Sequence, residues 1–200
     1  IFQSYLDLAF DYANAGLWAE AGDVLSRLAD PDAAYVFPSV LYALAYFAHQ
    51  LGREDAARAA LARAAEMPTD YCFPVRLEEM VALEYAQSAR PHDAKIAYYL
   101  GNLTYDKQRY DEAIDHWQRA AELDPSFSIP WRNLGIAAYN VLDEPEQAMA
   151  YYEKAFEAAP EDGRVLSELD QLRSRTGVSP EERLALLEDN LDLVRARDDL

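Results

Sequence analysis

An internal repeat constrains this chain more than any other feature. Ala97-Tyr98-Tyr99-Leu100-Gly101 recurs as Trp131-Arg132-Asn133-Leu134-Gly135, so two glycines in matching settings stand 34 residues apart. Downstream, Ala113, Trp117, Ala120 and Pro125 recur 35 residues later as Ala148, Tyr152, Ala155 and Pro160, which implies one inserted residue in the turn around Leu142 to Pro145. Nearer the start, Leu8, Ala9, Gly16, Ala21 and Leu25 recur 36 residues later as Leu44, Ala45, Gly52, Ala57 and Leu61. A chain built on such a period buries each copy against its neighbours and forms an array instead of one closed core.

Each copy reads as two helices joined by a tight turn. Ile114, Trp117, Ala120 and Ala121 fall three and four apart, as one face of an α-helix requires. Turn signals stand at Asn14-Ala15-Gly16, Gln50-Leu51-Gly52, Asp106 to Arg109 and Asp124-Pro125. Small residues at the expected crossings (Ala21, Ala57, Gly101, Ala113, Gly135, Ala148) let paired helices approach closely. No segment alternates apolar and polar residues over the length of a strand.

These residues resemble the tetratricopeptide repeat (TPR) family: a bulky residue, then Leu-Gly and a Tyr-like residue, and later Ala, a large aromatic, Ala and Pro. Trp131, Leu134, Gly135, Ala148, Tyr152, Ala155 and Pro160 carry it, as do Leu100, Gly101, Tyr110, Ala113, Trp117, Ala120 and Pro125. Looser copies lie near 4–31 and 40–68, with Ala9 and Ala45 where the family often has Gly. The resemblance implies an all-α fold, a right-handed α-solenoid of TPR-like helix hairpins with about eleven helices. The expected organisation is two TPR-like units over 1–70, a solitary extra helix (a degenerate unit) over 71–91, two full TPR units over 92–160 and a degenerate helix pair over 161–200, all in one continuous solenoid. The extra helix is inferred because Ala45 and Gly101 stand 56 residues apart, 22 more than one period, and Pro74 to Ala89 is amphipathic. In the last pair, Ser179-Pro180-Glu181-Glu182 reads as a capping box, and Leu184 to Val194 as one helix running to the end. The stretch from Ser167 to Leu200 also resembles helical tracts of large bacterial proteins that carry an uncharacterised galactose-mutarotase-like domain upstream.

Composition narrows the function. Thirty-six acidic residues against 18 basic ones give a net charge of −18, which disfavours nucleic acid and anionic membrane as partners. No apolar run approaches the roughly 18 residues of a membrane span, so a cytoplasmic location is expected. Cys72 is the sole cysteine, which excludes an internal disulfide and a thiolate metal cluster. His49, His92 and His116 lack further ligands at helix spacing, and no phosphate loop or nucleophile elbow is present. Carboxylate pairs such as Glu78-Glu79 and Asp111-Glu112 fall at helix starts, where exposed N–H groups favour negative charge. No catalytic residue, metal or cofactor is therefore expected. Opening at Ile1 inside an expected helix, the chain reads as part of a longer protein.

Fourteen tyrosines remain to be explained. In the TPR family the first helices of the units line a concave groove, and the resemblance puts Tyr42, Tyr46, His49, Lys95, Tyr98, Asn102, Tyr105, Arg132, Asn133 and Tyr139 on that face. Tyrosine and asparagine offer rigid contact area and hydrogen bonds to a peptide main chain. The expected function is a protein–protein interaction scaffold that binds a peptide or protein domain, without catalysis. The alternative is a structural spacer packed against the catalytic domain of a larger carbohydrate-active bacterial enzyme. On that alternative an exposed apolar patch would draw the isolated chain into a homodimer.

Overall fold

The computed structural model describes residues 2–30, 32–33 and 35–196, apart from the side chain of Phe2. It divides into two compact units, Ile1–Arg109 and Tyr110–Leu200. The first holds α1 (Phe2–Asn14), α2 (Trp18–Ser26), α3 (Pro38–Gln50), α4 (Glu54–Glu66), α5 (Leu77–Ala89) and α6 (Ala94–Asp106). The second holds α7 (Tyr110–Leu123), α8 (Ser128–Asn140), α9 (Pro145–Ala158), α10 (Gly163–Arg175), α11 (Pro180–Asp189) and α12 (Leu191–Ala196). No strand occurs among the described residues.

The repeat is written most plainly in the backbone of the turns. Gly16, Gly52, Gln108, Asp143 and Gly177 all take left-handed φ, between +55° and +84°. Each directly follows a helix, and their spacings are 36, 56, 35 and 34 residues. The left-handed residue lets the next N–H fold back onto the last turn of the helix. Leu17, Arg53, Arg109 and Val178 each donate to the carbonyl five residues earlier, on Tyr12, Ala48, Thr104 and Arg173. Glu144 instead donates to Ala138, six residues earlier, at 2.9 Å. That wider ring is the inserted residue expected between Leu142 and Pro145. Glycine supplies the conformation in three of the five turns, and Gln108 and Asp143 bear its steric cost in the other two.

Packing within hairpins depends on small residues. Ala21, Ala57, Ala113 and Ala148 have no exposed surface. At Gly135 a Cβ would lie 2.6 Å from Tyr152 Cδ2 and 3.3 Å from the Ala148 carbonyl oxygen, so the α8/α9 crossing admits only hydrogen there. Cys72 is buried, as a structural thiol would be. Its Sγ lies 3.4 Å from Ser39 Oγ, and burial pushes the thiol pKa up.

Two element-level expectations change. The helix expected to run unbroken from Ser179 stops at Asp189: Asn190 leaves helical geometry and its side chain donates to the Leu186 carbonyl at 2.9 Å. A separate α12 follows, which makes twelve helices among the described residues, close to the eleven or so expected; the end of that expected helix, 197–200, lies outside the described residues. The Ser179 cap forms, with Glu182 N–H donating to Ser179 Oγ at 3.2 Å. The Glu182 carboxylate, however, takes the serine hydroxyl instead of the serine N–H. The reciprocal bond that the sequence suggested there occurs at α5, where buried Glu79 accepts from the N–H groups of Val75 and Arg76 at 2.9 and 3.0 Å.

Candidate functional site

In the first unit part of the expected groove face is closed. Tyr42 and Tyr98 are 2% and 4% exposed and belong to the core, which corrects their expected place on an open face. Tyr42 packs edge-on to Tyr99 at 5.8 Å, and burial holds both phenols far above their ordinary pKa. Lys95 is also committed elsewhere: its ammonium donates to the carbonyls of Ala65 and Met67, each at 2.7 Å, and so caps the end of α4. Lysine at a helix C-terminus satisfies orphan carbonyls and the negative end of the dipole together.

Tyr46 and His49 share the face of α3 that meets α5; Tyr46 is half-buried there and His49 stays exposed. The Tyr85 ring stacks on His49 at 4.4 Å and 23°, and lies 6.0 Å from Tyr46. Trp18 meets Tyr46 edge-on at 5.8 Å, and His49 Nδ1 lies 2.8 Å from Glu54 Oε1. Asn102 and Tyr105 are half-buried. The reading of α5 as a solitary extra helix gave no reason to set it there. It packs on α3 and α6.

The second unit keeps more of its face open. Arg132, expected to meet a ligand, is instead tied to Glu168 by two parallel bonds of 2.6 Å. Arg164 and Tyr152 complete that cluster at 3.1 and 3.2 Å from the same carboxylate, so α8, α9 and α10 share one ion pair. Burial alone would raise the Glu168 pKa; the hydrogen bonds and charges of Arg132 and Arg164 outweigh it and hold the carboxyl below its ordinary range. Asn133 is half-buried. Tyr139 borders a pocket of about 570 Å3, together with Asp143, Glu146, Met149 and Arg175. The Arg175 guanidinium lies 6.0 Å from the Tyr139 ring centre, within cation–π range.

The sequence reading missed the exposed apolar run after α4. Tyr71, Phe73 and Leu77 are 82%, 65% and 60% exposed, with Val75 and Val81 beside them in sequence. These positions lie in the stretch between recognisable copies, where no repeat register assigns a face. Among the described residues, no group of three His, Cys, Asp or Glu side chains could hold a metal ion. No described helix is long and apolar enough to cross a membrane.

Stacked helix hairpins with open, aromatic-bearing faces define a repeat scaffold for protein interaction. Family comparison agrees: the tetratricopeptide repeat matches residues 38–71 and 134–162, and a TPR repeat matches 91–141. The chain carries tetratricopeptide repeats, and it is an α-solenoid of their hairpins. It is 31% identical over 102 residues to protein O-mannosyl-transferase TMTC1 of Mus musculus; the match covers 47% of this chain and 11% of that protein. The chain thus spans about a tenth of that relative's length. Among solved structures, the MamA RS-1 ArsTM double mutant shares the fold with a TM-score of 0.53 at 16% identity, over 99% of this chain and 97% of that one. MamA 41-end from Desulfovibrio magneticus RS-1 does so with a TM-score of 0.52 at 17% identity, over 98% and 97%.

Proposed function

We propose that this chain holds a peptide segment of a partner protein against the open face of its second unit and performs no reaction itself. The observation that supports this is the pocket of about 570 Å3 at Tyr139, where an aromatic ring, a thioether, two carboxylates and the Arg175 guanidinium meet. Such a mixture suits a peptide side chain with an apolar stem and a polar tip. The proposed layout keeps two units in 1–70, the extra helix in 71–91, two units in 92–160 and a closing helix pair in 161–200. It assigns this chain no part in the transfer chemistry that the mouse relative's name denotes. The test is a peptide array probed with the intact chain and with Tyr139→Ala. Peptides captured by the former should bind the variant at least about tenfold more weakly, as loss of an aromatic anchor does, while the melting temperature stays unchanged. Equal capture by both proteins would overturn the assignment.

A second reading has its own observation. The exposed run from Tyr71 to Val81 suits a spacer that packs against another domain of a larger protein, such as the carbohydrate-active bacterial enzymes suggested by the resemblance of the 167–200 tract. Sedimentation velocity over a range of concentrations tests it: a spacer with a bared face self-associates, and a monomer throughout argues against it.

A further inference from the structure

We propose that the outer face of α5, with the segment 71–75 that leads into it, docks a basic amphipathic helix of a partner protein. This goes beyond the pocket at Tyr139 and uses the other unit of the chain.

The surface is built rigidly. Along 71–75 exposed and buried residues alternate: Tyr71, Phe73 and Val75 face solvent while Cys72 and Pro74 are buried. Cys72 meets Ser39 of α3, and Tyr35 Oη donates to the Asp70 carbonyl at 2.9 Å, so the start of the segment is fixed to the repeat beneath, while at its end the Val75 N–H donates to Glu79 at 2.9 Å. Tyr71 takes left-handed φ of +57°, a conformation unfavourable for so bulky a residue, and its ring is the most exposed of the large apolar side chains described. The aromatic rings are thus held outward without a mobile loop.

The helix that follows is apolar on two sides. Met80, Ala82, Leu83 and Ala86 are buried against the hairpins. Leu77 and Val81, four residues apart, are 60% and 44% exposed on the other side. A surface helix ordinarily has one apolar stripe; a helix apolar on opposite sides is covered on both. Leu77 and Val81, continued by Glu84 at the next turn, form a ridge at the spacing that a second helix packs against.

Charge selects the occupant. Asp70 and Glu84, both exposed, flank the apolar residues at the two ends. The one cation within the run, Arg76, is bound by Asp7 and Glu78 and lies over the Phe10 ring at 5.8 Å. The face is therefore apolar with acidic ends, on a chain of net charge −18. A second copy would bring like charge to like; a helix with an apolar stripe bordered by lysine or arginine complements both features.

The test uses the intact chain and a fluorescein-labelled Leu/Lys amphipathic helix of about 18 residues, five turns, read by fluorescence anisotropy. Its Leu/Glu counterpart serves as the charge control. The Leu/Lys helix should bind and the Leu/Glu helix should not. The variant Phe73→Ser/Leu77→Ser should weaken binding at least about tenfold, with unchanged far-ultraviolet circular dichroism and melting. Leu77→Lys alone, a milder change at an exposed site, should weaken it by repulsion. Glu181→Gln/Glu182→Gln, equally acidic and remote in sequence, should stay within about twofold. Binding unaffected by the changes at 73 and 77 would overturn the proposal, since diffuse attraction to an acidic chain would then account for it. A concentration-dependent dimer abolished by Phe73→Ser/Leu77→Ser would overturn it in favour of a second copy. Tyr139→Ala should leave this binding intact, so failure here and failure of the Tyr139 pocket are separable results.

Discussion

Gly135 and Gly22 both sit inside helices, yet they should respond to a methyl group in opposite ways. At Gly135 the new Cβ would overlap the Tyr152 ring and press on the Ala148 carbonyl, and neither atom lies at the end of a flexible side chain. Gly135→Ala should therefore cost about 1–3 kcal/mol, the range for overpacking, measured by urea denaturation. A Cβ at Gly22 meets nothing within 4 Å. Gly22→Ala in α2 should stabilise by about 0.5–1 kcal/mol, by removing backbone freedom from the unfolded chain. The repeat made Gly135 legible in the sequence as a crossing residue and gave Gly22 no such place; the open space at Gly22 is decided by the tertiary structure. Glu168 shows the reverse limit. It carried no signal, because its partners Arg132, Tyr152 and Arg164 come from three helices. Since folding lowers its pKa, the Glu168 carboxylate adds stability that is complete above the ordinary value of about 4.3 and is lost as pH falls from there through the folded value. Glu168→Gln should melt below the parent at neutral pH, and the two melting curves should converge on acidification. Curves that stay parallel across that window would contradict the assignment.

At the scale of elements, periodicity located the helices well because the apolar stripe and the turn chemistry coincide. Four of the five left-handed turns, at Gly16, Gly52, Gln108 and Asp143, fell at turns marked in the sequence, and the inserted residue of the last full repeat appears as a single widened ring at Asp143. The start of α5 was not legible in the same way. A serine, threonine or aspartate cap announces itself by type, whereas Glu79 acts by reaching back to two N–H groups from within the first turn. Because that carboxylate is buried, Glu79→Ala should cost about 1–2 kcal/mol, in the upper part of the range for lost caps. The check is again urea denaturation, with Glu79→Gln as the milder variant that keeps one acceptor. A loss below a few tenths would mean that the Val75 and Arg76 N–H groups find water instead. The break at Asn190 belongs with these cases. An unbroken run of leucine spacing concealed a side chain that prefers to bond its own backbone.

For the molecule as a whole, the dominant long-range term is its charge. A net −18 spread over 200 residues opposes compaction by self-repulsion, and salt relieves it. The melting temperature should therefore rise between about 20 and about 200 mM sodium chloride, since the Debye length shortens to below the spacing of many surface charges. A fall would mean that ion pairs such as Arg132–Glu168 and Arg183–Asp170 outweigh the repulsion. The sequence by itself determined the helical repeat, its period, the positions of the hairpins and the small residues at their crossings. All of these follow from contacts between residues close in the chain, or between copies in register. Tertiary structure alone decided which aromatic residues stay open. Tyr42 and Tyr98 share residue type and helix position with groove residues, yet they are buried; Tyr46 and His49, flanked by Tyr85, are half-buried and exposed. Register does not settle these faces, because the contacts that do join residues far apart in the chain: Tyr42 packs on Tyr99 of α6, and Tyr46 and His49 meet Tyr85 of α5.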